Sequence, residues 1–154
     1  MMLPNRAPQA IAGILSAEGC YYLSILELAR RVSGRLLDPI ACYDIFTQRR
    51  NKDGVFFMAP DCFVNDPVGI FEYCSGEEQV EFFKTTDLSF NMGENDVACL
   101  RYEWKKTGAT LSHFVCADHN GVIDWDPMGI SNTVRYGSPM SYRVFRMRPR
   151  AAPL

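Results

Sequence analysis

Residues 112–127 read SHFVCADHNGVIDWDP, two short runs rich in β-branched and aromatic side chains on either side of His119, Asn120 and Gly121. An Asn-Gly pair between two such runs is the strongest short-range signal for a β-hairpin, because both residues accept the positive φ that a tight, correctly twisted turn demands. Upstream, VACLRYEW (97–104) alternates Ala98, Leu100, Tyr102 and Trp104 against Val97, Cys99, Arg101 and Glu103. That is the two-residue period of a strand. YRVFRMR (142–148) reads as a last strand, so the C-terminal half is antiparallel β.

The N-terminal half has a different period. From Glu18 to Gly34, EGCYYLSILELARRVSG places Ile25, Leu28, Ala29 and Val32 on one helical stripe, with Ser24, Glu27 and Arg31 facing elsewhere. Arg30 and Arg31 complement the negative end of the helix dipole, and Gly34 is a natural stop. Cys20 then lies in the first turn. A second helix is expected from Asp38, as N-cap, to about Arg50, with Pro39 at its first position and Asn51–Gly54 ending it. Residues 55–58 fit a short strand or an extended link, and a brief helix is expected from Asp66 to Tyr73 behind Pro67. Helices first and antiparallel strands afterwards define an α+β domain in which helices pack on a small sheet.

With 154 residues the chain fits one domain, whose core is expected to span about residues 14–148 with a frayed tail after it. Its 47% apolar content and formal charge of -2 fit a soluble globular protein and lack the basic footprint of a nucleic-acid binder. IAGIL (11–15) is too short for a membrane span, and no convincing signal-peptide cleavage pattern accompanies it. The expectation is therefore a cytoplasmic protein with mostly free thiols. Cys42, Cys62, Cys74, Cys99 and Cys116 sit among apolar neighbours, where cysteine behaves as a small hydrophobe.

Cys20 differs from the other five. A thiol attacks as thiolate, and a helix N-terminus favours the anion through unpaired N–H groups and the positive end of the dipole. Only His113 and His119 can serve as its base. His119 belongs to the hairpin tip, whereas His113 opens HFVCA and would be held by a rigid strand. Hairpin register then selects the third group. With Asn120 and Gly121 central, Val115 pairs with Asp126, which shares a face with His113 and lies diagonal to it. A slip of one residue puts Asp126 directly opposite His113. Both alternatives favour Asp126 over Asp124. Cys99, His113, Cys116 and His119 also invite a zinc reading, but His113 and Cys116 are an odd number of positions apart and point to opposite faces. No metal or cofactor is expected.

In order and spacing, Cys20 at a helix start, His113-Phe114-Val115 on a strand and Asp126-Pro127 at the end of the next strand resemble the papain-like cysteine peptidases. Among these they are most like the bacteriocin-processing peptidase domains that cleave double-glycine leaders. The resemblance covers roughly residues 14–130. It implies a papain-like fold and a thiol-protease triad of Cys20, His113 and Asp126 acting on a peptide or protein substrate, with neither nucleic acid nor membrane as partner. One position departs: the family usually has a glutamine six residues before the cysteine as an oxyanion-hole donor, and here Ile14 stands there. Gln9 is too far upstream and Ser16 would need a rearranged loop, leaving the Cys20 N–H; one lost donor costs about 3–4 kcal/mol of transition-state stabilisation. That departure motivates an alternative, a silent papain-like module that holds a peptide or partner protein. A cell-wall amidase is a third reading. Substrate pocket walls are expected from the region between about Val55 and Leu88.

Overall fold

The computed structural model describes residues 6–149. The expected frayed tail lies, from residue 150 onward, outside the described residues. Helix α1, Pro8–Glu18, opens the fold without a side-chain cap, starting on Pro8 and burying Ile11 and Leu15. Helix α2, Cys20–Ser33, follows after the single residue Gly19, and the two axes meet at 96°. This bend needs glycine for lack of space: a Cβ on Gly19 would lie 2.6 Å from the Leu15 carbonyl oxygen and 2.8 Å from its Cα. α2 ends on Gly34, whose φ of 72° is the left-handed conformation that glycine adopts without cost. No single helix among the described residues is long and apolar enough to cross a membrane, although α1 and α2 together pass that test as a bent pair.

Helix α3, Pro39–Gln48, and helix α4, Pro67–Ser75, begin as the sequence predicts, on prolines behind aspartate caps. The Asp38 carboxylate accepts from the Ile40 N–H and that of Asp66 from the Gly69 N–H. Strands β1 (Glu81–Thr85), β2 (Asp96–Lys106), β3 (Ala109–Ala117), β4 (Ile123–Trp125) and β5 (Ser138–Arg146) form one antiparallel sheet in the order β1-β5-β2-β3-β4. A one-turn helix α5, Asn132–Tyr136, precedes β5. The protein is thus an α+β fold with five helices and a five-stranded antiparallel sheet among the described residues.

Both faces of the sheet are covered, each by its own cluster. On one face α2 and α4 pack over Cys99, Cys116 and Phe145. There the α4 ring of Phe71 stacks on Phe145, with centroids 4.7 Å apart. On the other, Ala98, Leu100, Val115, Ala117, Tyr142 and Val144 meet Phe90 and Met92 from the β1–β2 connection and Val134 from α5. Side chains of this size each contribute about 1.5–3 kcal/mol on full burial. α2 itself is buried on two sides, so Ser24 is wholly covered and Glu27 nearly so. The sequence reading had turned both away from the core. Ser24 is held by polar contacts with β3, and the Glu27 carboxylate is met by Arg30 and Arg31, which holds its pKa below the usual carboxylate range.

The hairpin combines the two anticipated registers. Asp118–Gly121 form the turn, closed by the Gly121 N–H on the Asp118 carbonyl at 3.0 Å, so His119 and Asn120 are its central residues. Gly121 has φ 78°. The Asp118 carboxylate accepts from the N–H groups of Asn120 and Val122. A register shift between Cys116 and Ala117 then absorbs one residue, and Cys116 pairs with Trp125. The turn of one register thereby leads into the strand pairing of the other, with Asp126 diagonal to His113.

Candidate active site

Three separate ties fix the start of α2 against β3. The Tyr21 ring stacks on Phe114 with centroids 4.2 Å apart and planes 13° from parallel. Ser24 Oγ donates to the Phe114 carbonyl at 3.3 Å, and the Cys116 thiol donates to the Ser24 carbonyl at 3.4 Å. Residue 20 opens the helix that these contacts hold, and residue 113 precedes the phenylalanine they hold it to. Local helix geometry and strand docking therefore bring Cys20 and His113 together.

Cys20 is half-exposed, unlike the other five cysteines, which are buried; all six are free thiols. His113 Nε2 lies 2.7 Å from Asp126 Oδ1, and the two side chains are only 7% and 6% exposed. Nδ1 is the ring nitrogen left for the thiol. Burial depresses the His113 pKa, but hydrogen bonding and charge from Cys20 and Asp126 outweigh it, and the net shift is upward from 6.5. An imidazolium is thus favoured between a thiol and a carboxylate, as a proton-shuttling base requires.

Asp126 has two roles. Its Oδ1 also accepts from the Met128 N–H at 2.8 Å and its Oδ2 from the Ser131 N–H at 3.4 Å, while its carbonyl closes a turn on the Gly129 N–H. Turn chemistry and contact with histidine are compatible because the carboxylate has lone pairs for both. Asp124, two residues earlier, points to solvent and binds Arg31 at 2.8 Å.

The remaining expected residues fall elsewhere. His119 is exposed at the hairpin tip, where it lines a cavity of about 590 Å³ at the C-terminal end of α2 together with Arg31, Asp96, Asp118 and Asp124. Cys116 faces α2, and no group of three or more His, Cys, Asp or Glu residues among those described could hold a metal ion. Ile14 is half-buried against the helical core, while Gln9 and Ser16 are exposed on α1. The hollow beside Asp126, about 250 Å³, is lined by Leu15, Ser16, Leu23, Ile40, Pro127 and Met128 among others, and by no residue from 55–88. Its walls come from α1, α2, the start of α3 and the turn after β4. Gly19, which with Cys20 marks the start of the helix in the sequence, also makes the bend from α1, a bend hidden because no helix is expected before Glu18. Tyr21 is a part of this site that sequence reasoning overlooked, because it reads only as an aromatic among others.

An α+β domain in which a helix-opening cysteine meets a strand histidine and a buried aspartate is the class of protein that these observations define. The chain belongs to a family described as "Protein of unknown function, DUF261", whose model matches residues 6–147. No curated protein and no solved structure matches it.

Proposed function

We propose that the protein is a cysteine-nucleophile hydrolase of papain-like type, a peptidase or amidase that cleaves a peptide-like bond through an acyl-enzyme. The observation that carries this reading is the His113–Asp126 bond of 2.7 Å, joined to a histidine pKa that Cys20 helps to raise. In the reaction His113 takes the Cys20 proton and the sulfur attacks the carbonyl carbon. The oxyanion faces the Cys20 N–H, which as the first of α2 has no intrahelical acceptor. Imidazolium then protonates the departing amine and the C–N bond breaks. Water, deprotonated by His113, attacks the thioester, and the acid and free thiol are regenerated. Asp126 keeps the ring oriented and stabilises its charged form.

The test is selective labelling. Cys20 should react with iodoacetamide or an electrophilic peptide faster than the five buried thiols, and His113→Ala should suppress this. Equal labelling of all six cysteines, or indifference to His113→Ala, would overturn the assignment. Ile14, in place of the glutamine expected of an oxyanion hole, supports a second reading, a silent module that holds a peptide or partner protein in the same groove. It predicts partner affinity unchanged in Cys20→Ala and no acyl-enzyme by mass spectrometry.

A further inference from the structure

The two edges of β3 are unequally paired. The inner edge runs against β2 without interruption from Ala109 to Ala117, whereas the outer edge meets β4 only at Cys116 and Ala117. Strand geometry fixes which backbone groups face outward, because the N–H and C=O of one residue point to the same side and the side alternates from residue to residue. The Asp118 N–H donates to the Val122 carbonyl across the turn at 2.8 Å, and the Phe114 carbonyl accepts from Ser24 Oγ of α2 at 3.3 Å. By the same alternation the N–H and C=O groups of Ser112 and Thr110 face outward. Among the described residues no strand or loop backbone pairs with them there.

Helix α2 determines where the open stretch ends. It runs beside β3 with Arg31 at Asp124, Ser24 at Phe114 and Cys116, and its first residue, Cys20, at His113. Before His113 the helix no longer covers the edge, and Ala109, Thr110, Leu111 and Ser112 are all exposed. Ser112 adjoins His113 in the chain, so the open edge leads directly to the Cys20–His113 pair. This stretch also lacks the devices that keep an edge strand from recruiting another chain. Residues 109–112 hold no charge and no proline, and no bulge interrupts their pairing with β2. β1, at the opposite end of the sheet, is a five-residue strand that carries exposed Glu81 and Lys84.

We infer that the open edge of β3 is the substrate-docking surface: an extended polypeptide segment adds to the sheet in the row of β4, hydrogen-bonds through its main chain to Thr110 and Ser112, and so delivers its scissile bond to Cys20. This rests on the proposed hydrolase reading and specifies its substrate class, an unfolded or loop segment selected by its backbone. The junction with His113 favours substrate over a second copy of this chain, whose pairing along the edge would obstruct the approach to Cys20.

The test uses the full chain and a neutral, alanine-rich peptide with an epoxysuccinyl electrophile between its two arms, together with twins N-methylated at one residue at a time. Labelling of Cys20 is followed by mass spectrometry. In one arm, N-methylation at alternate residues should slow labelling about fivefold, the worth of one backbone hydrogen bond, while the residues between them tolerate it. Thr110→Pro removes an outward N–H without removing a bond to β2, and should lower the rate with the unmethylated peptide about fivefold relative to the rate with iodoacetamide. The N-methyl series on wild type stands if this variant folds poorly. Efficient labelling of Cys20 with no alternation in either arm would refute strand addition and leave the nucleophile standing. A wild-type dimer that Thr110→Pro dissociates would assign the edge to a second copy and also refute it. Failure of Cys20 to react preferentially with either reagent would refute the hydrolase reading and the docking surface together.

Discussion

The two ends of α2 meet the same β-hairpin in different ways. At the C-terminal end, Arg31 grips Asp124 through both guanidinium nitrogens, at 2.8 and 3.1 Å, and also touches Glu27. The Asp124 side chain is 39% exposed. At the N-terminal end, Cys20 faces a histidine whose partner Asp126 is 6% exposed. Two aspartates separated by one residue thus play opposite parts. A salt bridge open to solvent is a brace of small net worth. A buried pair that includes a titrating ring can move a proton, and only it adjoins a half-exposed thiol.

The comparison breaks most sharply at His113. His113→Ala should lower the alkylation rate of Cys20 by about 10²–10⁴, the range of a general base, measured by mass spectrometry of the Cys20 peptide. Gly19→Ala comes next. The added methyl must push against the Leu15 backbone at 2.6 Å, and the resulting misplacement of the first turn should reduce Cys20 reactivity by up to about a hundredfold. Asp126→Asn should cost about tenfold in the same assay, ~1.4 kcal/mol, because the imidazolium loses its counter-charge. Asp124→Asn should leave the rate unchanged and lower stability by about 0.2–1 kcal/mol in a urea melt.

Stability should follow pH in the direction set by His113. Its pKa is raised on folding from 6.5, so the folded state binds its proton more tightly than the unfolded chain does. The stabilisation is fully present below pH 6.5 and is lost as pH rises through the higher folded value. Wild-type melting temperatures should therefore fall over that interval relative to those of His113→Gln. A parallel pH dependence in the two proteins would contradict the raised value.

Local chemistry in the sequence pointed to the C-terminal hairpin, to the aspartate–proline starts of α3 and α4, and to Asp126 in preference to Asp124. Each of these depends on neighbours within a few residues. Helix α1 was missed because Pro8–Glu18 has no side-chain cap and buries only Ile11 and Leu15, too few positions to establish a period. Strand β1 depends on β5, some sixty residues away, since Phe82 pairs with Phe145. No local pattern announces such a pairing. The turn was expected to select one register or the other. A bulge at Cys116/Ala117 instead let the tighter local turn coexist with the pairing that buries Val115, because backbone irregularity at a strand end costs less than exposing a core face.

The pairing of Cys20 with His113 is tested most directly by following the His113 ring through its titration by NMR in wild type, Cys20→Ala and Asp126→Asn. A midpoint above 6.5 in wild type that falls in both variants is the predicted result. An identical midpoint in wild type and Cys20→Ala would show that the thiol and the ring do not act on one another, and would contradict the account.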